Sequence, residues 1–158
     1  MPNSNADPGA EQTVTAYISV RDAARAISFY GEAFGAREVY RLNSPDGKVA
    51  HAEITFGNSK LMLSDEYPDF GAISPVTLGG SPVKFNVTVP DADKAVEHAV
   101  AAGCTLERPV KTEFYGQRAG MVKDPFGFSW FLSAEVEKLT PEEMQRRMSA
   151  MSTKAKTA

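Results

Sequence analysis

The stretch ISVRDAARAI at residues 18–27 recurs, with changes, as VTVPDADKAV at residues 87–96. Four of the ten aligned positions are identical and four more are conservative exchanges. In both copies an alternating, strand-like pattern runs into an aspartate and is followed by apolar residues at helical spacing. Self-similarity of this kind indicates that one supersecondary unit is written twice along the chain.

Each copy predicts a strand that is followed directly by a helix. Residues 13–20 and 83–89 alternate between apolar and polar side chains, which is typical of a strand with one buried face. Four residues are predicted to begin and end the two helices, namely the N-caps Asp22 and Asp91 and the C-terminal stops Gly35 and Gly103. Three further extended stretches follow each helix.

The repeat predicts the fold class and the domain organisation. We expect an α+β protein made of tandem βαβββ modules with a short C-terminal helix. The predicted divisions are a disordered tail (1–12), a first module (13–66), a linker in which proline and glycine block regular structure (67–82), a second module (83–134), a C-terminal helix (135–151) and a second disordered tail (152–158).

The composition argues against several classes of function. A chain of 158 residues with 42% hydrophobic and 23% charged residues is typical of a globular protein, and no apolar stretch is long enough to cross a bilayer. The net charge of -3 provides no basic field, so we expect neither nucleic acid nor a membrane as a partner. The single Cys104 and an amino terminus without the pattern of a secretory signal predict a cytoplasmic protein.

His51 and Glu53 are the candidate catalytic residues. They alternate with Ala52 and Ile54, so both side chains should lie on the polar face of one strand. An imidazole and a carboxylate placed in this way serve as a base and its partner, or anchor a polar ligand. The alternative is an exposed edge strand with solvated side chains.

A further set of residues is predicted to bind a ligand. Lys84 and Arg118 are the cations expected to face inward, where they would hold a carboxylate or phosphate group, or would instead pair with Glu53 across the sheet. The hydrogen-bonding neighbours predicted for this site are Tyr17, Asn86, Tyr115 and Gln117.

Four motifs resemble those of the vicinal oxygen chelate superfamily, which includes glyoxalase I, bleomycin- and fosfomycin-resistance proteins and extradiol dioxygenases. They are VRDAARAISFY (20–30), HAE (51–53), LMLSDE (61–66) and DPFG (124–127). The resemblance covers one domain, about residues 13–134, and is strongest to the PhnB-type branch. It implies a cup-shaped, open-barrel mixed sheet with helices outside and a cavity inside. It also implies a homodimer.

The resemblance raises the question of a metal ion. Metal-bearing relatives take a His or Gln from the first strand of each module and a Glu from its last strand. The residues at those four places are Thr15, Met62, Lys84 and Phe131. None is a usual ligand of a divalent ion, and Lys84 would repel one. We therefore expect no metal and no cofactor. At these places Met62 and Phe131 would give the implied cavity an apolar floor and bind a ligand, or would only fill core.

Three functions remain open at this point. The first is metal-free binding of a small organic molecule, with possible sequestration of a ligand or antibiotic. The second is a metal-independent lyase or isomerase with Glu53 as general base, His51 or Tyr115 as acid, and Lys84 or Arg118 stabilising an oxyanion. The third, a metal-dependent glyoxalase or dioxygenase, is disfavoured. The sequence leaves open whether any reaction is catalysed, and whether the modules pair within one chain or between two.

Overall fold

The computed structural model describes residues 12–157, with the side chains of residues 12–152, and it divides into two compact units after Pro82. Each unit contains a strand, a helix and three strands, and a further helix follows the last strand. The predicted α+β class, the two βαβββ modules and the C-terminal helix are therefore confirmed. Except for Gln12, the predicted first tail (1–12) lies outside the described residues.

The first module is a four-stranded mixed sheet with a helix on one face. Its elements are β1 (Tyr17–Val20), α1 (Ala23–Phe34), β2 (Arg37–Asn43), β3 (Val49–Phe56) and β4 (Ser59–Asp65). The strand order is β1-β4-β3-β2, with β1 parallel to β4 and the other neighbours antiparallel. Because α1 contacts all four strands with its apolar residues, the polar side chains of the sheet belong to the other face.

The segment after the first module contains short helices, so the expectation of no regular structure at residues 67–82 is wrong. A 3-10 helix spans Pro68–Phe70, and α2 spans Pro75–Leu78. Proline is compatible with the first position of a helix, where its missing N–H costs no hydrogen bond. The Ser74 side chain caps α2 by accepting a hydrogen bond from the backbone N–H of Thr77.

The second module repeats the topology of the first. Its elements are β5 (Lys84–Thr88), α3 (Ala92–Ala102), β6 (Thr105–Thr112), β7 (Gln117–Lys123) and β8 (Ser129–Glu135). The strand order is β5-β8-β7-β6, with β5 parallel to β8. The helix α3 contacts β6, β7 and β8 from one side.

The predicted helix boundaries are confirmed. The carboxylates of Asp22 and Asp91 accept hydrogen bonds from the third backbone N–H beyond them, each at 3.1 Å. Gly35 and Gly103 are the C-terminal caps of α1 and α3. The first strand, however, begins at Tyr17 rather than at residue 13.

Each module contains a buried aspartate that accepts hydrogen bonds from buried N–H groups. In the first, Asp65 accepts hydrogen bonds from the backbone N–H groups of Ala23 (2.8 Å) and Val49 (2.7 Å). In the second, Asp124 of the DPFG turn accepts bonds from two backbone N–H groups of its own turn and from the indole of Trp130 at 2.8 Å. Both carboxylates therefore replace water as the partners of buried donors.

The C-terminal helix α4 (Pro141–Thr157) ends later than predicted. It begins at Pro141 rather than at residue 135, which still belongs to β8, and the Thr140 hydroxyl accepts a hydrogen bond from the backbone N–H of Glu143 at 3.2 Å. It continues beyond residue 151 through most of the predicted tail, because residues 152–157 contain no glycine or proline to end it. No helix in the described part of the chain is long and apolar enough to span a membrane.

Candidate functional site

A row of side chains crosses the open sheet face of the first module. In the strand register Tyr17 pairs with Met62, Met62 with Glu53, and Glu53 with Tyr40. Residues paired across neighbouring strands place their side chains on the same face of a sheet. The row therefore joins all four strands, and we call the polar group around it the Glu53 cluster: Tyr17, Tyr40, His51, Glu53 and Lys60.

Glu53 is the buried centre of this cluster, with 8% of its surface exposed. Its Oε2 lies 3.0 Å from the Lys60 Nζ, and its Oε1 accepts a hydrogen bond from the Tyr40 hydroxyl at 3.3 Å. The hydrogen bond from the Lys60 ammonium lowers the pKa of Glu53 below its usual value, against the opposite effect of desolvation. The carboxylate is therefore ionised near neutral pH.

His51 lies between Glu53 and Tyr17. Its Nδ1 lies 2.7 Å from the Tyr17 hydroxyl, and its Nε2 lies 3.7 Å from the Oε1 of Glu53. The imidazole is also held between two aromatic rings, with centroid distances of 5.4 Å to Tyr17 and 5.7 Å to Tyr40. Desolvation raises the pKa of Tyr17, so its hydroxyl keeps its proton at neutral pH.

The structure brings together three of the predicted site residues, Glu53, His51 and Tyr17, around a fourth, Met62. The alternative of a solvated edge strand is wrong, because β3 lies inside the sheet between β4 and β2. Sequence reasoning missed Tyr40 and Lys60. Lys60 lies two residues before Met62 on β4, so strand alternation alone would have placed it on the same face.

The second module contains a cavity of about 410 Å³ on the open face of its sheet. Four predicted residues, Asn86, Tyr115, Gln117 and Phe131, line it. The other lining residues are Thr88, Ala119, Ser133 and Glu135. Each of these lies two or four residues beyond a predicted residue on β5, β7 or β8, and this spacing, which places side chains on one face of a strand, would have found them.

The polar groups of this second-module cavity are mostly uncharged. The Asn86 Oδ1 accepts a hydrogen bond from the Ser133 hydroxyl at 2.8 Å, which leaves the amide nitrogen as the donor for a ligand. Desolvation raises the pKa of Tyr115, so that hydroxyl remains protonated. Glu135 is the one ionisable carboxylate among the lining residues.

The prediction that Arg118 faces inward is wrong. Its guanidinium makes two hydrogen bonds, of 2.6 and 2.8 Å, with the carboxylate of Asp93 on α3. Successive side chains of a strand point to opposite faces, so Arg118 faces the helix while Gln117 faces the cavity. The alternative pairing with Glu53 is also wrong for Arg118. Lys84 is exposed and is not among the lining residues.

The four positions that hold a metal in related folds do not fit one here. Met62 lies between Tyr17 and Glu53, and Phe131 forms part of the cavity wall. With Thr15 and Lys84 they offer a hydroxyl, a thioether, a ring and an ammonium, which do not form a divalent-metal site. The described residues contain no group of three or more His, Cys, Asp or Glu side chains that would hold a metal ion.

Cys104 offers no nucleophile. Its thiol is buried, and desolvation raises its pKa to about 12. A reactive cysteine needs the opposite environment, with an accessible thiol and a lowered pKa.

Comparison with known proteins agrees with the fold. The chain is 37% identical over 143 residues to uncharacterized protein Mb0911c of Mycobacterium bovis, which covers 89% of this chain and 94% of that protein. The structure of the gene product At5g48480 from Arabidopsis thaliana is 28% identical, with a TM-score of 0.63 and coverage of 78% of this chain and 99% of that one. Each is a protein to which this chain is similar.

The PhnB protein from Bacillus cereus, described as a putative 3-demethylubiquinone-9 3-methyltransferase, has the same fold. It is 19% identical, with a TM-score of 0.62 and coverage of 78% of this chain and 99% of that one. The model of the Glyoxalase/Bleomycin resistance protein/Dioxygenase superfamily matches residues 12–132. The resemblance inferred from the motifs is thus confirmed, and the chain belongs to the glyoxalase/bleomycin resistance protein/dioxygenase superfamily.

Proposed function

We propose that the protein binds a small organic molecule in the second-module cavity, without a metal ion. The observation that carries this proposal is the cavity itself, with its volume of about 410 Å³. Small-molecule sites in proteins span roughly 300–1,000 Å³ and combine an apolar wall with a few directed polar groups. Here Phe131 provides an aromatic wall, and the amides of Asn86 and Gln117 provide direction.

The charges around the cavity favour one class of ligand. The predicted anion-binding arginine, Arg118, is paired with Asp93 on the helix side of the sheet. The lining set contains the carboxylate of Glu135 and no cation. A ligand that is neutral, or that carries an amine opposite Glu135, therefore fits better than a carboxylate or phosphate. Sequestration of such a molecule is the activity we assign to the site.

Binding is tested by a thermal-shift screen followed by calorimetry. The panel contains neutral and amine-bearing antibiotics, aldehydes, and organic acids and phosphates as the disfavoured class. A ligand that binds the native state raises the apparent melting temperature. We expect hits among the neutral and amine-bearing compounds.

Variants of the cavity locate the binding site. Gln117→Ala and Asn86→Ala each remove one directed polar group, so we expect the Kd of a hit to rise about 3- to 10-fold. Lys84→Ala is the matched control, because Lys84 lies on the same strand as Asn86 but outside the lining set. Cavity variants that bind every hit as tightly as the unmodified protein would contradict the proposal.

Metal analysis tests the proposal that binding requires no metal ion. Protein purified without chelators is expected to contain divalent ions well below one per chain, because Thr15, Met62, Lys84 and Phe131 offer no suitable ligand set. A stoichiometric divalent ion that survives dialysis would contradict this expectation.

The alternative of an enzyme with Glu53 as general base has weaker support. The carboxylate is close to His51, as that function requires. The hydrogen bond from Lys60, however, lowers the pKa of Glu53, and a carboxylate with a lowered pKa is a weaker base. Glu53 is better suited to orienting a neighbour than to removing a proton from a substrate.

A further inference from the structure

We propose that Tyr17, His51 and Glu53 form a proton-transfer relay on the open sheet face of the first module, with the Tyr17 hydroxyl as its reacting group. The substrate class is an acyl donor with an electrophilic carbonyl carbon, such as an activated ester. The relay contains none of the residues that line the second-module cavity. A failure of the relay would therefore not count against the proposed ligand binding, and a failure of ligand binding would not count against the relay.

The relay requires one arrangement of the protons. The Tyr17 hydroxyl lies 2.7 Å from the Nδ1 of His51, and in the relay it donates to that atom. The Nε2 of His51 then carries the ring hydrogen and faces the Oε1 of Glu53 at 3.7 Å, which is too long for a hydrogen bond, so the carboxylate acts on the ring through its charge. A hydroxyl, an imidazole and a carboxylate in this order form the arrangement by which proteins activate a hydroxyl nucleophile.

Exposure distinguishes the reacting end of the relay from its buried end. Glu53 is 8% exposed, whereas Tyr17 is 52% exposed. Lys60 holds the Oε2 of the Glu53 carboxylate, and Tyr40 donates to the Oε1, the oxygen that faces His51. Glu53 is therefore a positioning residue, and a small molecule would reach the relay at the Tyr17 hydroxyl.

The chemical step balances within the relay. The Tyr17 oxygen bonds to the acyl carbon while its proton moves to the Nδ1 of His51, and the Glu53 carboxylate stabilises the resulting imidazolium. The bond from the acyl carbon to the leaving oxygen then breaks, and the leaving alcohol or phenol takes the proton from Nδ1. The products are O-acyl-Tyr17 and a free alcohol, and no oxidant or reductant is needed.

His51 is essential to this step for a physical reason. Desolvation raises the pKa of Tyr17, so phenolate forms rarely without help. The proton must instead leave during the attack, and general-base assistance of this kind is worth roughly 100-fold or more in rate.

Acetylation by p-nitrophenyl acetate tests the proposal on the full-length protein. The rate at each tyrosine is followed by peptide mass mapping. Tyr115 is the internal control, because it is 36% exposed and its ring contact is with Phe114 rather than with a histidine. We expect Tyr17 to be acetylated faster than Tyr115. In His51→Gln the Tyr17 rate should fall about 100-fold while the Tyr115 rate is unchanged.

The imidazole nitrogen spectrum provides a second measurement that does not depend on acylation. The chain has two histidines, so His98 serves as the internal reference. We expect His51 in the form with hydrogen on Nε2, a shift of its Nδ1 resonance in Tyr17→Phe, and the opposite tautomer in Glu53→Gln. The His98 signals should stay constant in both variants.

Two results would overturn the relay. One is a Tyr17 rate equal to that of Tyr115, or one that persists in a folded His51→Gln variant. The other is hydrogen on the Nδ1 of His51 in the unmodified protein, because that atom could not then accept the tyrosine proton. If His51→Gln fails to fold, the tautomer measurement on the unmodified protein decides.

Discussion

At the scale of single residues, the most consequential side chains are buried carboxylates with backbone partners. Asp65, at the end of β4, accepts hydrogen bonds from the backbone N–H groups of Ala23 and Val49. These bonds hold the start of α1 and the start of β3 against the end of β4. These segments are far apart in sequence, so one carboxylate fixes the position of the helix on the sheet. The polar face opposite α1 depends on that placement.

Asp65→Ala is expected to lower the free energy of unfolding by about 2–4 kcal/mol. The substitution leaves two buried N–H donors without a partner, and each costs roughly 1–3 kcal/mol. Urea unfolding monitored by circular dichroism measures the change. Asp69→Ala is the control, since Asp69 is exposed and should change stability by less than about 0.5 kcal/mol. Equal effects of the two substitutions would refute this role.

Residue-level prediction from sequence succeeded where strand alternation sufficed. Glu53 and His51 lie on one face because they are two residues apart on a strand. The direction of the Arg118 side chain was predicted wrongly because it depends on the register of β7. Arg118 lies at the very start of that strand, where the alternation of side chains does not fix the register. The contact of Tyr40 with Glu53 was missed because the two residues lie on different strands, 13 positions apart.

At the scale of elements, the segment between the modules is attached to the first module through Glu66. This carboxylate follows β4 and accepts hydrogen bonds from the backbone N–H (2.8 Å) and hydroxyl (3.1 Å) of Ser74. Arg21 lies 3.5 Å from Glu66 and also donates to the Thr77 hydroxyl. Hydrogen bonds with Thr77 and Ser74 lower the pKa of Glu66 to about 2.

We expect α2 to detach from the first module in acid. The folded-state pKa of Glu66 is about 2, below its ordinary value of 4.5, so its stabilising effect is complete above pH 4.5 and is lost as the pH falls towards 2. The protection factors of the Thr77 and Leu78 amides, which correct for the intrinsic pH dependence of hydrogen exchange, should fall as the pH is lowered through that range. Glu66→Gln should exchange faster at neutral pH and respond less to acid.

Glu143→Gln provides a matched control for this experiment. The pKa of Glu143 is also lowered to about 2, in this case by hydrogen bonds with Arg146 and Arg147. Its loss should weaken α4 and leave exchange at Thr77 unchanged. Exchange at Thr77 and Leu78 that is indifferent both to pH and to Glu66→Gln would contradict the attachment.

The order of the elements was predictable because each depends on local patterns. The caps of α1 and α3 followed from Asp22 and Asp91, whose short carboxylates satisfy N–H groups of the next turn. The helices at residues 68–70 and 75–78 were missed because proline was taken only as a breaker, although it also starts helices. The extent of α4 was underestimated, since a polar composition was taken as a sign of disorder.

At the scale of the whole molecule, each module leaves strand edges uncovered within its own sheet. The edge strands are β1 and β2 in one module and β5 and β6 in the other. The unpaired backbone N–H and C=O groups of an edge strand favour association with further strands or chains. The homodimer implied by the family resemblance remains a proposal, and these edges support it.

We expect light scattering to give a mass near twice 17.1 kDa at micromolar concentration. The physical reason is that association covers apolar sheet surface, including exposed side chains of β2 such as Val39 and Leu42. Val39→Lys and Leu42→Lys should shift the protein towards the monomer. A monomeric mass for the unmodified protein over the micromolar range would refute the expectation.

The two modules share one pattern of strand pairing but place different residues in it. The row Tyr17, Met62, Glu53 and Tyr40 in the first sheet corresponds, pair for pair, to Asn86, Phe131, Met121 and Arg108 in the second. The same position in the row is therefore a carboxylate, Glu53, in the first sheet and a thioether, Met121, in the second. The two sheets differ at all four paired positions, and building the Glu53 cluster into the second sheet would also require counterparts of His51 and Lys60.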